Sequence, residues 1–266
     1  MWIEDVFHTK SPVIGLIHLK AFPGTCNCKG ETSAEEIIDC AKTDYRNLTE
    51  GGIDGVLFCT EYDKPYTKCA DPYVISLLTY IIDEVVDKDC TVPFGVDIQW
   101  DPKASLAIAK ATGASFIRGI IVGTYCGDLG FYSVDIAELM TFRNRIHAQD
   151  VKLISNLCPE FSSSLDTRPI ELRALTAFKS TLIDGICISG ILAGSGVDRE
   201  HLKMIKETIG DNAVFANTGV NPDTVHDICE LSDGCFVATS IKRDGNSENE
   251  IDVQRVKQLM NNKMKG

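Results

Sequence analysis

The sequence predicts an α/β fold, a single (β/α)8 TIM barrel of the phosphate-binding type, with residues 1–266 forming one domain. Three observations carry this expectation. Short, nearly continuous apolar runs alternate eight times with longer segments of helical periodicity, as expected of parallel strands covered on both faces. The tripeptides Ile53-Asp54-Gly55, Ile183-Asp184-Gly185 and Ser232-Asp233-Gly234 each stand just ahead of an apolar run and read as tight helix-to-strand turns. The stretch from Ala213 to Gly245 reads as strand–helix–strand, with strands ending in Asn217-Thr218-Gly219 and Ala238-Thr239-Ser240. A doubly wound sheet is the alternative. It usually has fewer strands, and Gly194-Ser195-Gly196 does not supply its glycine fingerprint.

The predicted elements follow in order. Val13 to Leu19 is the first strand, ending in a Gly/Pro loop. Ser33 with Glu36 makes a capping box for a helix that Gly51-Gly52 stops. Val56 to Cys59 is a strand, and Asp71-Pro72 opens a helix striped by Leu77, Leu78, Ile81 and Ile82. Phe94 to Gln99, Phe116 to Val122, Val151 to Leu157 and Gly185 to Ser189 are further strands. Helices are expected after Asp101-Pro102, after Ser133, from Pro169, after Asp198, from Asn221-Pro222 and over Asp252 to Met260.

Bulk composition excludes several function classes. A net charge of −12 disfavours a nucleic-acid partner, which needs clustered Lys and Arg, and also disfavours an anionic membrane surface. No apolar run approaches the ~18 residues of a membrane span, so no membrane insertion is expected. The start, MWIEDVFHTKSP, lacks a signal-peptide pattern. The eleven cysteines are scattered, and most, including Cys40, Cys59, Cys187, Cys229 and Cys235, fall in apolar patterns. They suit a reducing cytoplasm, the expected location. Cys26 and Cys28 read as loop residues.

In a barrel of this kind the site lies at the C-terminal strand ends. Reading those ends gives His18, Glu61, Asp97, Arg118, Asn156, Ser189-Gly190, Asn217 to Gly219 and Thr239-Ser240. Polar side chains inside apolar runs are expensive to bury unpaired, so their clustering at one end is informative. Asp97 is either a general base or the partner of Arg118 in an internal ion pair, and Arg118 could instead hold a substrate carboxylate or phosphate. His18 is a candidate acid–base group or a satisfied core histidine. Glu61 is a mouth residue or a surface loop residue, and Asn156 can only orient, since it does not titrate. Gly219, Thr239 and Ser240, with Ser189 and Gly190, are the expected phosphate cradle, because loops after the last two strands recurrently hold phosphate in this fold. No cofactor is predicted. A divalent metal on His18, Glu61 and Asp97 is conceivable, but no spacing specifies it.

The segments GLIHLKAFPG, IDGVLF, Phe94 through Arg118, GDLGF at Gly127 to Phe131, and SDGCFVATSIKRDG together resemble the BtpA/SgcQ family, over roughly Pro12 to Arg255. The resemblance implies a TIM barrel related to phosphate-binding barrels. It includes one branch named for photosystem I biogenesis and another among sugar-metabolism proteins. His18, Asp128, Arg118, Ser189-Gly190 and Lys242 fit the family's pattern. The chain departs from it at Asp97, where asparagine is usual, at Trp100, often an arginine, and at Asn156, usually an aspartate. Pro159, Glu160 and Phe161 stand where a Lys-His pair is expected.

The expected function is an enzyme acting on a small phosphorylated metabolite, such as a sugar phosphate, by isomerase or epimerase, lyase or hydrolase chemistry. A homo-oligomer is compatible with the sequence. The alternative is a non-catalytic assembly or regulatory protein on a barrel scaffold.

Overall fold

The apolar runs become the staves of a closed barrel in the computed structural model, which describes residues 2–28, 30, 32–190 and 196–265. The strands are β1 (Val13–His18), β2 (Gly55–Cys59), β3 (Phe94–Asp97), β4 (Phe116–Gly119), β5 (Thr124–Gly127), β6 (Gly130–Ser133), β7 (Lys152–Asn156), β8 (Ser162–Ser164), β9 (Gly185–Ile188), β10 (Ala213–Ala216) and β11 (Cys235–Val237). Eight of them close in the order β1-β11-β10-β9-β7-β4-β3-β2, every neighbouring pair parallel. The protein is therefore a TIM barrel, as the alternation of runs predicts.

The helices are α1 (Trp2–Phe7), α2 (Ala34–Gly51), α3 (Pro72–Val85), α4 (Pro102–Thr112), α5 (Ile136–Arg145), α6 (Ile170–Thr181), α7 (Arg199–Ile209), α8 (Val225–Leu231) and α9 (Val253–Lys263). Their caps follow the sequence signals closely. The Ser33 hydroxyl accepts from the Glu36 amide, although the Glu36 carboxylate pairs with Lys20 rather than closing the box. Asp71, Asp101, Asp198 and Asp252 each accept from amides of the first turn.

Three expectations need correction. Ser133 ends β6, and Asp135 caps α5, because the residues before it pair as a hairpin. The helix after Asn221-Pro222 begins only at Val225, after a turn closed by the Thr224 amide on the Asn221 carbonyl. Cys40 is exposed on α2 rather than packed in an apolar face. Gly194 and Ser195 lie outside the described residues.

Two features were not legible in the sequence. Helix α1 plugs the N-terminal end of the barrel: Ile3 and Phe7 are buried among the inward-facing Phe116 and Phe215, with Phe7 and Phe116 ring centroids 5.5 Å apart. At the opposite end, β5, β6 and β8 form a small antiparallel sheet over the mouth.

The barrel interior is built by strand alternation, since every second residue of a strand points the same way. Ile14 and Leu16, Leu57 and Cys59, Phe116, Ile154, Cys187, Ala213 with Phe215, and Phe236 form one enclosed apolar cluster. Their outward neighbours join the larger core beneath the helices.

Candidate active site at the barrel mouth

Continuing the same period by one step places the polar side chains. His18 stands two residues beyond Leu16, Glu61 beyond Cys59, Arg118 beyond Phe116, Asn156 beyond Ile154, Ser189 beyond Cys187 and Asn217 beyond Phe215. The barrel thus changes from an apolar layer to a polar one at its C-terminal end. A cavity of about 330 Å³ opens there, lined by His18, Glu61, Asp97, Arg118 and Asn156, and across from them by Asn217 to Asn221 and Ala238 to Ser240.

Asp97 and Arg118 form the ion pair that the sequence allowed. The Arg118 Nε and Nη2 donate to Asp97 Oδ2 at 3.0 and 2.8 Å, and Nη1 donates to Asn217 Oδ1 at 2.6 Å. The guanidinium also lies over the Phe236 ring, 5.2 Å from its centroid. Arg118 is thereby committed to protein partners, which speaks against its serving as a free bidentate clamp on substrate. From Arg118 a chain of hydrogen bonds runs on. Asn217 Nδ2 donates to Ser189 Oγ at 2.8 Å, and Asn156 Nδ2 donates to the same oxygen at 3.2 Å. Asn156 Oδ1 accepts from the Cys158 amide, so both ends of its side-chain amide are held by the protein.

Among the described residues, Asp97 Oδ1 and His18 Nδ1 of this layer are buried without a hydrogen-bond partner. Such atoms in a folded protein call for an explanation, and a catalytic role is one. Burial pushes the Asp97 carboxyl above its ordinary value, against the pull of Arg118. Burial, then the nearby charges of Lys242, Arg118 and Lys64, push the His18 imidazole down to about 3, so it is neutral at pH 7. Cys59 and Cys187, also in this floor, are held as thiols by burial and are not poised nucleophiles.

Glu61 is fixed rather than free. Its carboxylate accepts from Tyr66 Oη at 3.2 Å and Gln99 Nε2 at 3.0 Å, and pairs with Lys64 at 3.2 Å. With Asp97 Oδ2 taken by Arg118, the set His18, Glu61 and Asp97 does not converge. Among the described residues no three His, Cys, Asp or Glu side chains are grouped to hold a metal ion.

The small-residue loops meet on the side of β10 and β11. Gly219 takes φ of +71°, which favours glycine. Ser240 Oγ donates to the Val220 carbonyl at 2.7 Å, tying the two loops together. Thr239 to Ile241 make a single 3-10 turn, leaving the amides of its first residues without intrahelical acceptors. Ser189 and Gly190 sit differently from expectation. The Ser189 hydroxyl is taken up by the two asparagines, and the Gly190 amide donates to Thr218 Oγ1 at 2.6 Å. Neither is among the residues that line the cavity.

Asn217, read from the sequence at its strand end, lines the cavity, and Glu160, Tyr66 and Trp100 join it without having been singled out as site residues. Glu160 comes from a loop, where no periodicity marks it; burial pushes its carboxyl above the ordinary value.

A closed parallel barrel with a polar ring at its C-terminal strand ends defines a TIM-barrel protein. This chain belongs to the BtpA family, whose model matches residues 9–265. It is 37% identical over 259 residues to the sgc region protein SgcQ of Escherichia coli (strain K12), covering 97% of this chain and 96% of that one. It is 30% identical to the photosystem I biogenesis protein BtpA of Synechocystis sp. (strain ATCC 27184 / PCC 6803 / Kazusa), covering 96% and 89%. Among solved structures, thiamine phosphate pyrophosphorylase from Pyrococcus furiosus shares the fold, with a TM-score of 0.53 at 13% identity over 95% of each chain.

Proposed function

We propose that this protein is an enzyme acting on a small phosphorylated metabolite, such as a sugar phosphate, bound across the barrel mouth. The observation that carries the reading is the pairing of two features in one cavity. On the β10–β11 side, Gly219, Thr239 and Ser240 offer backbone amides, and Thr239 its hydroxyl, to an anion. On the floor, Asp97 Oδ1 and His18 Nδ1 are buried and unpartnered. The first can hold a phosphate, and His18 and Asp97, which line the same cavity, are the acid–base candidates for the rest of the substrate. Arg118 steadies charge from beneath through Asp97 and Asn217. Glu160, its carboxyl shifted toward the protonated form, is a further acid at the rim. The fold neighbour named for thiamine phosphate is consistent with a phosphorylated ligand.

The relative named for photosystem I biogenesis suggests an assembly role instead. Among the described residues no helix is long and apolar enough to cross a membrane. The exposed large apolar side chains sit on several different elements, including Tyr73 and Tyr80 on α3, Leu172 on α6 and Met204 on α7. The mouth therefore carries the better-supported reading.

A thermal-shift panel of sugar phosphates against their unphosphorylated counterparts tests it. A phosphorylated ligand at ~100 times its Kd should add ~2.7 kcal/mol of stability. If neither inorganic phosphate nor any phosphorylated compound stabilises the protein, the proposal fails. Turnover of a panel ligand that survives both Asp97→Ala and His18→Ala would remove these residues from the mechanism.

A further inference from the structure

Opposite the small-residue loops, the cavity has an aromatic wall that phosphate binding does not use. In the closed strand order, β3 lies four strands from β10 and β4 lies four strands from β11, so each stands across the barrel from the other. Trp100 follows β3 and Ile120 follows β4. With Tyr125, Tyr132, Tyr66 and Leu129 they form an apolar cluster separate from the barrel core. Trp100 packs against Tyr132 with centroids 4.9 Å apart, and Tyr132 Oη donates to the Ile120 carbonyl at 3.0 Å, so the indole has a rigid backing. From the loop after β7, the next strand round, Phe161 also lines the cavity while remaining 55% exposed.

Trp100 and Phe161 share a second property. Both hold left-handed backbone conformations, with φ of +68° and +63°. Bulky side chains rarely adopt this conformation, and such strain gathers at ligand clamps. Two strained aromatic residues from different loops therefore line one cavity of about 330 Å³, near the lower end of the roughly 300–1,000 Å³ typical of small-molecule sites. Phe161 presents an exposed apolar face to the cavity beside the largely buried Trp100 and Ile120, and the face of a flat ring suits it.

We propose that the ligand has two ends: a phosphate at Gly219, Thr239 and Ser240, and a flat heteroaromatic ring held by Trp100 and Phe161, as in a nucleoside monophosphate. This rests on the phosphorylated-ligand reading above and narrows its substrate class. Trp2, the second tryptophan, lies at the far end of the barrel, its Nε1 bonded to the Asp184 carbonyl. A Trp2→Phe protein thus reports on Trp100 alone.

The test titrates that protein with inorganic phosphate, ribose 5-phosphate, the four 5′-nucleoside monophosphates and the matching nucleosides, with calorimetry on the wild-type chain as a second measure. At least one monophosphate should bind tenfold or more tightly than ribose 5-phosphate and quench Trp100 fluorescence. Phe161→Ala, at an exposed position, should erase that advantage and leave the ribose 5-phosphate affinity unchanged; Trp100→Leu should do the same if it folds. Ribose 5-phosphate binding as tightly as every monophosphate overturns the ring proposal alone. So does a monophosphate advantage that survives Phe161→Ala. Nucleosides binding as tightly as their monophosphates, or no binding by any phosphorylated probe, overturns the phosphate reading and this proposal together.

Discussion

Lowering the pH should weaken the fold through His18 in a way that one substitution removes. Burial and the charges of Lys242, Arg118 and Lys64 hold its imidazole down to about 3, against 6.5 for a free side chain. Below pH 6.5 the unfolded chain takes up a proton that the native site refuses, so stability falls as the pH drops from about 6.5 toward 3. At pH 5 the gap to 6.5 is 1.5 units, and at 1.36 kcal/mol per unit the loss is about 2 kcal/mol. The ring is only half-buried as a whole, although Nδ1 is sealed from solvent, and the exposed part reduces the figure to about 1–2 kcal/mol. The assay is urea unfolding of the wild type and of His18→Gln at pH 7 and pH 5. Carboxylates titrate in both proteins, so their contribution cancels in the difference. The wild type should lose about 1–2 kcal/mol more than the variant between the two pH values. Equal losses, or a His18 resonance titrating near 6.5 by NMR, would refute the reasoning.

Other perturbations test neighbouring parts of the site. Asp97→Ala leaves the Arg118 guanidinium buried without its carboxylate and should cost about 3–5 kcal/mol by chemical denaturation. Asp97→Asn, which keeps an oxygen acceptor, should cost clearly less, and equal costs would contradict the pairing argument. Gly219→Val forces a β-branched residue into φ of +71°, with a penalty of roughly 1–2 kcal/mol, and should abolish any thermal shift by phosphorylated compounds. In Gly127→Ala the new Cβ would stand 2.1 Å from the Phe161 carbonyl oxygen. The loop carrying Glu160 and Phe161 must move, so ligand affinity should fall while the far-UV circular dichroism of the barrel is retained.

The barrel was legible because its causes are local. Parallel strands buried on both faces must be apolar throughout, and Asp-Pro or Ser caps at helix starts satisfy orphan amides within one turn. Strand ends were read too long, to Val122 and to Gln99, because apolar residues just past a strand, Val122 and Ile98 here, are buried whether or not their backbone pairs. The small sheet over the mouth escaped notice for a related reason. Ser162–Ser164 pairs with Thr124–Gly127 across a long separation in sequence, and three serines give no pattern of their own.

For the candidate site, the sequence by itself determined which residues crown the barrel. Apolar runs broken at one end by His18, Asp97, Arg118, Asn156 and Ser189, together with the small residues after the last two strands, follow from alternation and composition. Only the tertiary structure decided what those residues do to one another. It committed Arg118 to Asp97 and Asn217, turned Ser189 and Gly190 away from the cavity, and left Asp97 Oδ1 and His18 Nδ1 without partners. It also brought Trp100 and Phe161 to one cavity from loops 61 residues apart. The physical reason is common to all of these. Hydrogen bonds, ion pairs and burial depend on distances of a few ångströms between strands that are far apart in the chain, and closure of the barrel alone sets those distances.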